Sequence, residues 1–198
     1  TVNTDDGSCE ASGVALGDPV TDDNCDVDII DNDAPTAFSV GENMVTWTVI
    51  DVHGNATTAT QTVVVVDNEN PIITGPDDVE LSADPGECEA TSVDLGVPVT
   101  DDNCSVDQTT NDAPSAFPVG STTVIWTVTD THGHSATASQ NVIVTDDEDP
   151  TITAPDDVTV SADAGMCEAA SVNLGDPTTD DNCAVDATTN DAPATLDR

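Results

Sequence analysis

The sequence predicts an all-β chain of β-sandwich units in tandem, and three observations carry that reading. First, Thr-Asp-Asp-Asn-Cys occurs at Thr21–Cys25, Thr100–Cys104 and Thr179–Cys183, 79 residues apart each time (25 to 104, 104 to 183). A second cysteine series, Cys9, Cys88 and Cys167, keeps the same interval. Two acids, an amide and a thiol recurring at one interval mean one structural unit copied. Second, Thr122–Thr129 and Gln140–Thr145 are rich in β-branched residues and partly alternate, which suits strands on a half-buried pleated surface. Third, turn signals come roughly every 8–12 residues and no segment carries a helical period, which suits a sandwich of about seven strands.

The 198 residues hold about two and a half copies, each the size of a small domain. The expected domains are residues 1–69, a copy without its first strand; 70–148, a complete copy; and 149–198, the first half of a third. The sequence starts and stops inside a copy, as expected of a window onto a longer array.

The complete copy serves as the template. Asp67-Asn-Glu-Asn-Pro71 opens it and is matched by Asp146-Asp-Glu-Asp-Pro150; an acidic run ending in Pro pairs poorly in a sheet and reads as the linker. Strands are expected around Ile72–Thr74 and Val79–Ala83, then a turn at Asp84-Pro-Gly-Glu87. A strand over Cys88–Leu95 leads to a loop, Gly96–Asn103, and the next strand runs from Cys104 to about Thr110. Asn111–Gly120 reads as a turn-rich connection. The strand Thr122–Thr129 carries Trp126, Asp130-Thr-His-Gly-His134 reads as a tight turn, and Ala136–Thr145 leads into the next linker.

Charge excludes several function classes. Forty acids face one base, Arg198, for a net charge of −39, and no lysine occurs. Phosphate binding needs several cations, so nucleic acid and anionic membranes are excluded as direct partners. A chain this acidic repels itself unless salt screens it or bound cations neutralise it. Aromatics make up only 2%, so the cores are thin and need staples. Six cysteines, two per copy, fit a disulfide framework and an oxidising compartment. No membrane-spanning run, signal peptide or sorting motif is present.

The order Pro85-Gly-Glu-Cys88, Asp102-Asn-Cys104, Ala116-Phe-Pro-Val-Gly120 and Val124–Gly133 resembles the HYR (hyalin repeat) family over essentially the whole chain. The resemblance implies immunoglobulin-like, extracellular modules linked to adhesion and matrix assembly. Many members carry extra cysteines near the first and last strands; this chain has Ile or Thr/Ser there.

In an immunoglobulin-like sandwich the entering linker, the loop between the second and third strands and the final hairpin lie at one pole. That brings together Asp67 and Glu69, then Asp101, Asp102 and Asn103, then Asp130, with Asp33 reaching in from the preceding copy. Calcium takes about six to eight oxygen ligands, which three acidic loops can supply. The next site would use Asp146, Glu148, Asp180, Asp181 and Asn182; an earlier one, Asp22, Asp23, Asn24 and Asp51. The logic is similar to that of cadherin linkers, though the motif differs. A salt-adapted surface would scatter its acids, whereas these recur in register at loop ends. The pair Asp77-Asp78, matched by Asp156-Asp157, reads as surface or a weaker second site.

For Cys9, Cys25, Cys88, Cys104, Cys167 and Cys183, pairing inside the copy is preferred, as in Cys88 with Cys104. That bridge needs residues 96–103 to fold back until the Cα atoms lie within about 7 Å. A bridge across the junction, such as Cys9 with Cys104, remains the alternative. His53, His132 and His134 sit beside glycine and read as turn residues, since no Cys-Cys-His spacing supports zinc. Trp47 and Trp126 read as core anchors ahead of carbohydrate stacking. Asn55-Ala-Thr57 and Asn103-Cys-Ser105 fit the glycosylation acceptor pattern.

No nucleophile elbow or phosphate loop is present, so no enzyme is expected. The expected function is a structural, adhesive extracellular repeat protein, a calcium-stiffened fibre, stalk or filament that continues as a longer array or associates head to tail. The alternative is a module binding a glycan or a surface protein, with the array as its spacer.

Overall fold

A computed structural model describes residues 1–197, and every regular element among them is a strand. In chain order these are β1 (Val2–Asn3), β2 (Glu10–Ser12), β3 (Val27–Asn32), β4 (Ala37–Ser39), β5 (Gly41–Asp51) and β6 (Ala56–Val66). The second copy follows with β7 (Ile72–Thr74), β8 (Val79–Ser82), β9 (Glu89–Thr91), β10 (Val99–Asp101), β11 (Val106–Asn111), β12 (Ala116–Pro118), β13 (Gly120–Asp130) and β14 (Ser135–Thr145). The third supplies β15 (Thr151–Thr153), β16 (Glu168–Ala170), β17 (Thr178–Asp180) and β18 (Thr195–Asp197).

The chain divides into two compact units. The first comprises Thr1–Asp77, Gly96–Asp112 and Val124–Gln140; the second comprises Asp78–Leu95, Ala113–Thr123 and the residues from Asn141 on.

In the first unit β1, β6, β5 and β3 form a four-stranded sheet, with β1 parallel to β6. The smaller sheet pairs β2 with β4. The layers meet in one core: Ala11 and Phe38 from the small sheet, Val45, Val63 and Val65 from the large one. The alternation of β6 aims Val63 and Val65 inward, and their neighbours outward, because successive side chains of a strand face opposite sides. This is a β-sandwich, as the strand pattern predicts. The unit also holds the antiparallel pairs β7–β10 and β11–β13.

The second unit holds β8 parallel to β14, β9 with β12, β15 with β17 and β16 with β18. Its buried Ala90, Phe117, Val142 and Val144 repeat the positions of Ala11, Phe38, Val63 and Val65. Val158 and Val160, counterparts of β8 residues, form no strand and stay exposed.

Several expected boundaries shift. The loop at 96–103 contains β10, and the connection at 111–120 contains β12. The strand expected over Cys88–Leu95 shrinks to Glu89–Thr91, because Ser92 adopts a left-handed φ of 56° that breaks an extended run. Trp126 is buried, its Nε1 donating to Gln140 Oε1 at 3.0 Å, and Gln140 Nε2 donates to the Asp77 carbonyl at 2.7 Å. Trp47 repeats this with Gln61 and the Leu16 carbonyl, at 2.9 and 3.0 Å. A buried indole N–H needs such an acceptor.

Candidate metal centre

In the first unit three segments converge on the linker. Each enters with its own local order.

The turn over Asp5–Glu10 comes first. Asp5 N–H donates to the Glu10 carbonyl at 2.8 Å, and Ser8 N–H to the Asp5 carbonyl at 2.9 Å. Gly7, at φ 70°, turns its N–H onto Glu69 Oε1 at 2.7 Å, so turn and linker are tied. The loop over Asp101–Ser105 comes second. Asp102 Oδ2 accepts from the N–H groups of Cys104 and Ser105 at 3.0 and 2.8 Å, an Asx turn that holds Asn103 outward from the end of β10. Asn103 Nδ2 then donates to the Ser8 carbonyl at 3.0 Å and to Asp67 Oδ1 at 3.2 Å. The hairpin tip comes last. Asp130 Oδ1 accepts from the N–H groups of His132 and His134 at 2.7 and 2.9 Å, while Thr131 N–H reaches the Ser105 carbonyl at 3.1 Å.

A disulfide locks this arrangement. Cys9 bonds Cys104, with Cα atoms 4.6 Å apart, and Cys88 bonds Cys183 in the second unit. The preferred pairing within a copy is therefore corrected. Residues 96–103 do not fold back toward Cys88; β10 pairs with β7 and carries Cys104 to the linker, where the Ser8–Cys9 turn already lies. Cys25 and Cys167 are exposed free thiols, which corrects their expected place among the bridges. Both bridges span 95 residues.

The electrostatics are costly as they stand. The side chains of Asp67 and Asp130 are both sealed from solvent, at 0% exposure. Asp67 Oδ2, Asp102 Oδ1 and Asn103 Oδ1 are buried and accept no hydrogen bond. His132 Nδ1 lies 3.1 Å from Asp67 Oδ2, close enough for an ion pair but without hydrogen-bond geometry. A buried carboxylate without full pairing costs several kcal/mol. Asp130 is better served. Burial raises its pKa, but the bonds from the His134 side chain and the His134, His132 and Gly133 backbone outweigh that and hold it below the ordinary carboxylate value. Glu69, Asp101, Asp102 and Asn103 line a cleft of about 270 Å³ with Gly7, Asn70 and Ile72.

The expected ligands thus separate into sets. Asp67, Glu69, Asp101, Asp102, Asn103 and Asp130 come together in the first unit. Asp33 does not join them. It is exposed, its Oδ1 accepts from Thr46 N–H at 2.6 Å, and Thr46 lies five strand positions from Gly41, roughly 17 Å from the linker end. In the second unit the frame recurs: Gly86 N–H donates to Glu148 Oε1 at 2.9 Å, Asp181 Oδ2 caps Cys183 and Ala184, and Asn182 Nδ2 donates to the Glu87 carbonyl at 2.9 Å. Asn182 Oδ1 is again a buried acceptor without a donor, while Asp146 and Asp180 are exposed. Asp22, Asp23 and Asn24 are exposed, and half-buried Asp51 caps its own turn through His53 and Asn55. Asp78 proves structural, its Oδ1 accepting from Asn141 N–H at 2.7 Å, and Asp156 and Asp157 are exposed. Two contributors went unforeseen: the Gly7–Ser8 turn, whose only sequence signal is its equivalence to Pro85-Gly-Glu, and the pair His132 and His134.

No family model matches the chain. Hyalin of Lytechinus variegatus is 33% identical over 186 residues, covering 85% of this chain and 34% of that protein. Hyalin of Strongylocentrotus purpuratus is 33% identical over 153 residues, covering 73% of this chain and 13% of that protein. The chain therefore spans about a third of the first relative and about an eighth of the second. Among solved structures, a protocadherin gammaB7 EC3-6 cis-dimer aligns at a TM-score of 0.31 and 14% identity, covering 68% of this chain and 43% of that one. The human desmocollin-1 ectodomain aligns at 0.24 and 14%, covering 73% of this chain and 35% of that one. At those scores nothing about ligands or assembly follows.

Proposed function

The chain belongs to a hyalin-repeat-like family, and from that premise we propose that it is an extracellular adhesive array in which calcium fixes each step from copy to copy. The linker Asp67–Pro71 is the step, and oxygens from three other segments surround its start. Glu69, Asp101, Asp102, Asn103 and Asp67 supply a hard, oxygen-rich set of the kind calcium takes, with Asp130 behind them. The second unit would offer Asp146, Glu148, Asp180, Asp181 and Asn182 in the same roles, and Asp22, Asp23, Asn24 and Asp51 an earlier set.

One observation carries this reading: Asp102 Oδ1 and Asn103 Oδ1 are buried acceptors with no donor, next to the sealed carboxylate of Asp67. A divalent cation satisfies such oxygens and offsets the two buried carboxylates at once. Two disulfides among the described residues support an oxidising, extracellular setting. Self-association and attachment to a surface partner are the corresponding roles of the array.

The test is thermal unfolding and limited proteolysis with calcium or EDTA at constant ionic strength. Calcium at a hundredfold excess over its Kd stabilises by about 2.7 kcal/mol and raises Tm accordingly. Cleavage near the linker slows in parallel. Equal melting temperatures with unchanged cleavage reject the proposal.

A further inference from the structure

The two histidines at the hairpin tip do not suit a calcium site. Calcium takes oxygen, while imidazole nitrogen is a ligand for zinc, copper, iron and nickel. Yet Asp67, Asp130 and His134 present one ligand atom each within 4.8 Å of one another, and Asp67 and His132 do so as well. Cys104 lies in the latter group, but its sulfur belongs to the bridge with Cys9.

We infer that Asp67, Asp130 and His134, flanked by His132, form a mixed nitrogen–oxygen site for a divalent d-block ion such as zinc, adjoining the all-oxygen set. The two carboxylates are fully buried, and Asp67 Oδ2, on a residue only 7% exposed, faces the imidazoles with no hydrogen-bond donor. Asp67 divides the two sites. Its Oδ1 is turned to Asn103 and its Oδ2 to His132. Asp130 is oriented the same way, Oδ1 held by backbone N–H groups and Oδ2 2.8 Å from His134 Nδ1. Two carboxylate oxygens and the His134 imidazole are three ligands of a kind zinc accepts, the fourth tetrahedral position being left to water or to His132 beside Asp67.

The first copy supplies an internal contrast. Its hairpin carries Asp51 and His53 at the matching positions but Asn55 in place of His134. Asn55 Nδ2 donates to Asp51 Oδ2 at 2.7 Å, so asparagine fills the turn and serves the carboxylate without offering an imidazole. His134→Asn is therefore a variant that this hairpin is built to accept.

The experiment uses the full 198-residue chain with the exposed Cys25 and Cys167 thiols alkylated. Zinc binding is measured by equilibrium dialysis in excess calcium and 150 mM salt, and cobalt(II) is followed through its visible ligand-field bands. The expected result is one tight zinc per chain and an intense tetrahedral cobalt spectrum. His134→Asn should weaken zinc by at least about tenfold, since even outer-shell partners of a metal contribute about 10–100-fold. The melting shift with calcium should persist in that variant. Zinc affinity unchanged in both His134→Asn and His132→Asn, or a weak octahedral cobalt spectrum, overturns the inference. A calcium-insensitive melt beside imidazole-dependent zinc binding rejects the calcium reading and leaves this one standing.

Discussion

The linker at Asp67 and the linker at Asp146 are built from the same parts and end in different states. Glycine N–H to glutamate, asparagine Nδ2 to a turn carbonyl, an Asx cap and a 95-residue disulfide occur in both, with bond lengths agreeing within 0.2 Å. Yet Asp67 is 7% exposed and Asp146 lies open to solvent. At the first linker the hairpin tip Asp130–His134 faces Asp67 and places a second buried carboxylate against it, whereas the hairpin 79 positions on is not in this sequence. Local repeats thus set the frame, and a segment about sixty residues away decides whether the frame holds a buried charge. Burial is what turns an acidic loop into a strong electrostatic demand, because interior charges are neither solvated nor screened.

The largest effect should come from the disulfides. In the chain-entropy model a closed loop of about 100 residues contributes about 4.7 kcal/mol. Cys104→Ser and Cys183→Ser open loops of equal length, so urea unfolding should separate them only through what each bridge holds. Cys104→Ser should cost more, since it also frees Asn103 beside Asp67. Equal losses would mean that the hairpin adds nothing to the first linker.

Next comes the charge itself. Asp67→Asn should stabilise the chain in EDTA by about 1–3 kcal/mol, the scale of a buried polar group left without a partner. In calcium it should remove the melting shift. Asp146→Asn, on an exposed residue, should stay within about 0.5 kcal/mol in EDTA. If both variants behave alike, burial is not what distinguishes the linkers.

The asymmetry extends into the cores. Gln140 is 1% exposed and joins Trp126 to Asp77, whereas Gln61 does the same for Trp47 while half-buried. Gln140→Leu should cost about 1–3 kcal/mol by stranding the indole N–H, and Gln61→Leu less, because water can replace a partner there. Chemical denaturation of both variants checks the order.

The smallest effects are in acid. Asp130 and Asp51 both have lowered pKa values: Asp130 against the opposing effect of burial, Asp51 chiefly through the Asn55 side chain. A depressed carboxylate stabilises the fold above its unfolded pKa of about 3.9 and loses that contribution as pH falls through the folded value. Carboxyl NMR titration should place both midpoints below the ordinary value. Added salt should move the midpoint of half-buried Asp51 more than that of buried Asp130.

Much of this was legible in the residues. The 79-residue interval, β-branched runs and turn signals predict tandem sandwiches, and the register of Asp-Asp-Asn-Cys points to the loops that meet at the linker. The disulfide partners were not legible. Spacing alone allows Cys104 to reach Cys88 or Cys9, and the choice follows from β10 pairing with β7, a three-residue strand hidden in an apparent loop.

The sequence by itself determined the strand periodicity, the repeat and the identity of the oxygens, because these depend on local spacing and backbone preference. Only the tertiary structure decided which cysteines meet, which carboxylates are sealed from water and that two histidines face them. Those outcomes depend on distances between residues far apart in the chain, which local pattern does not encode.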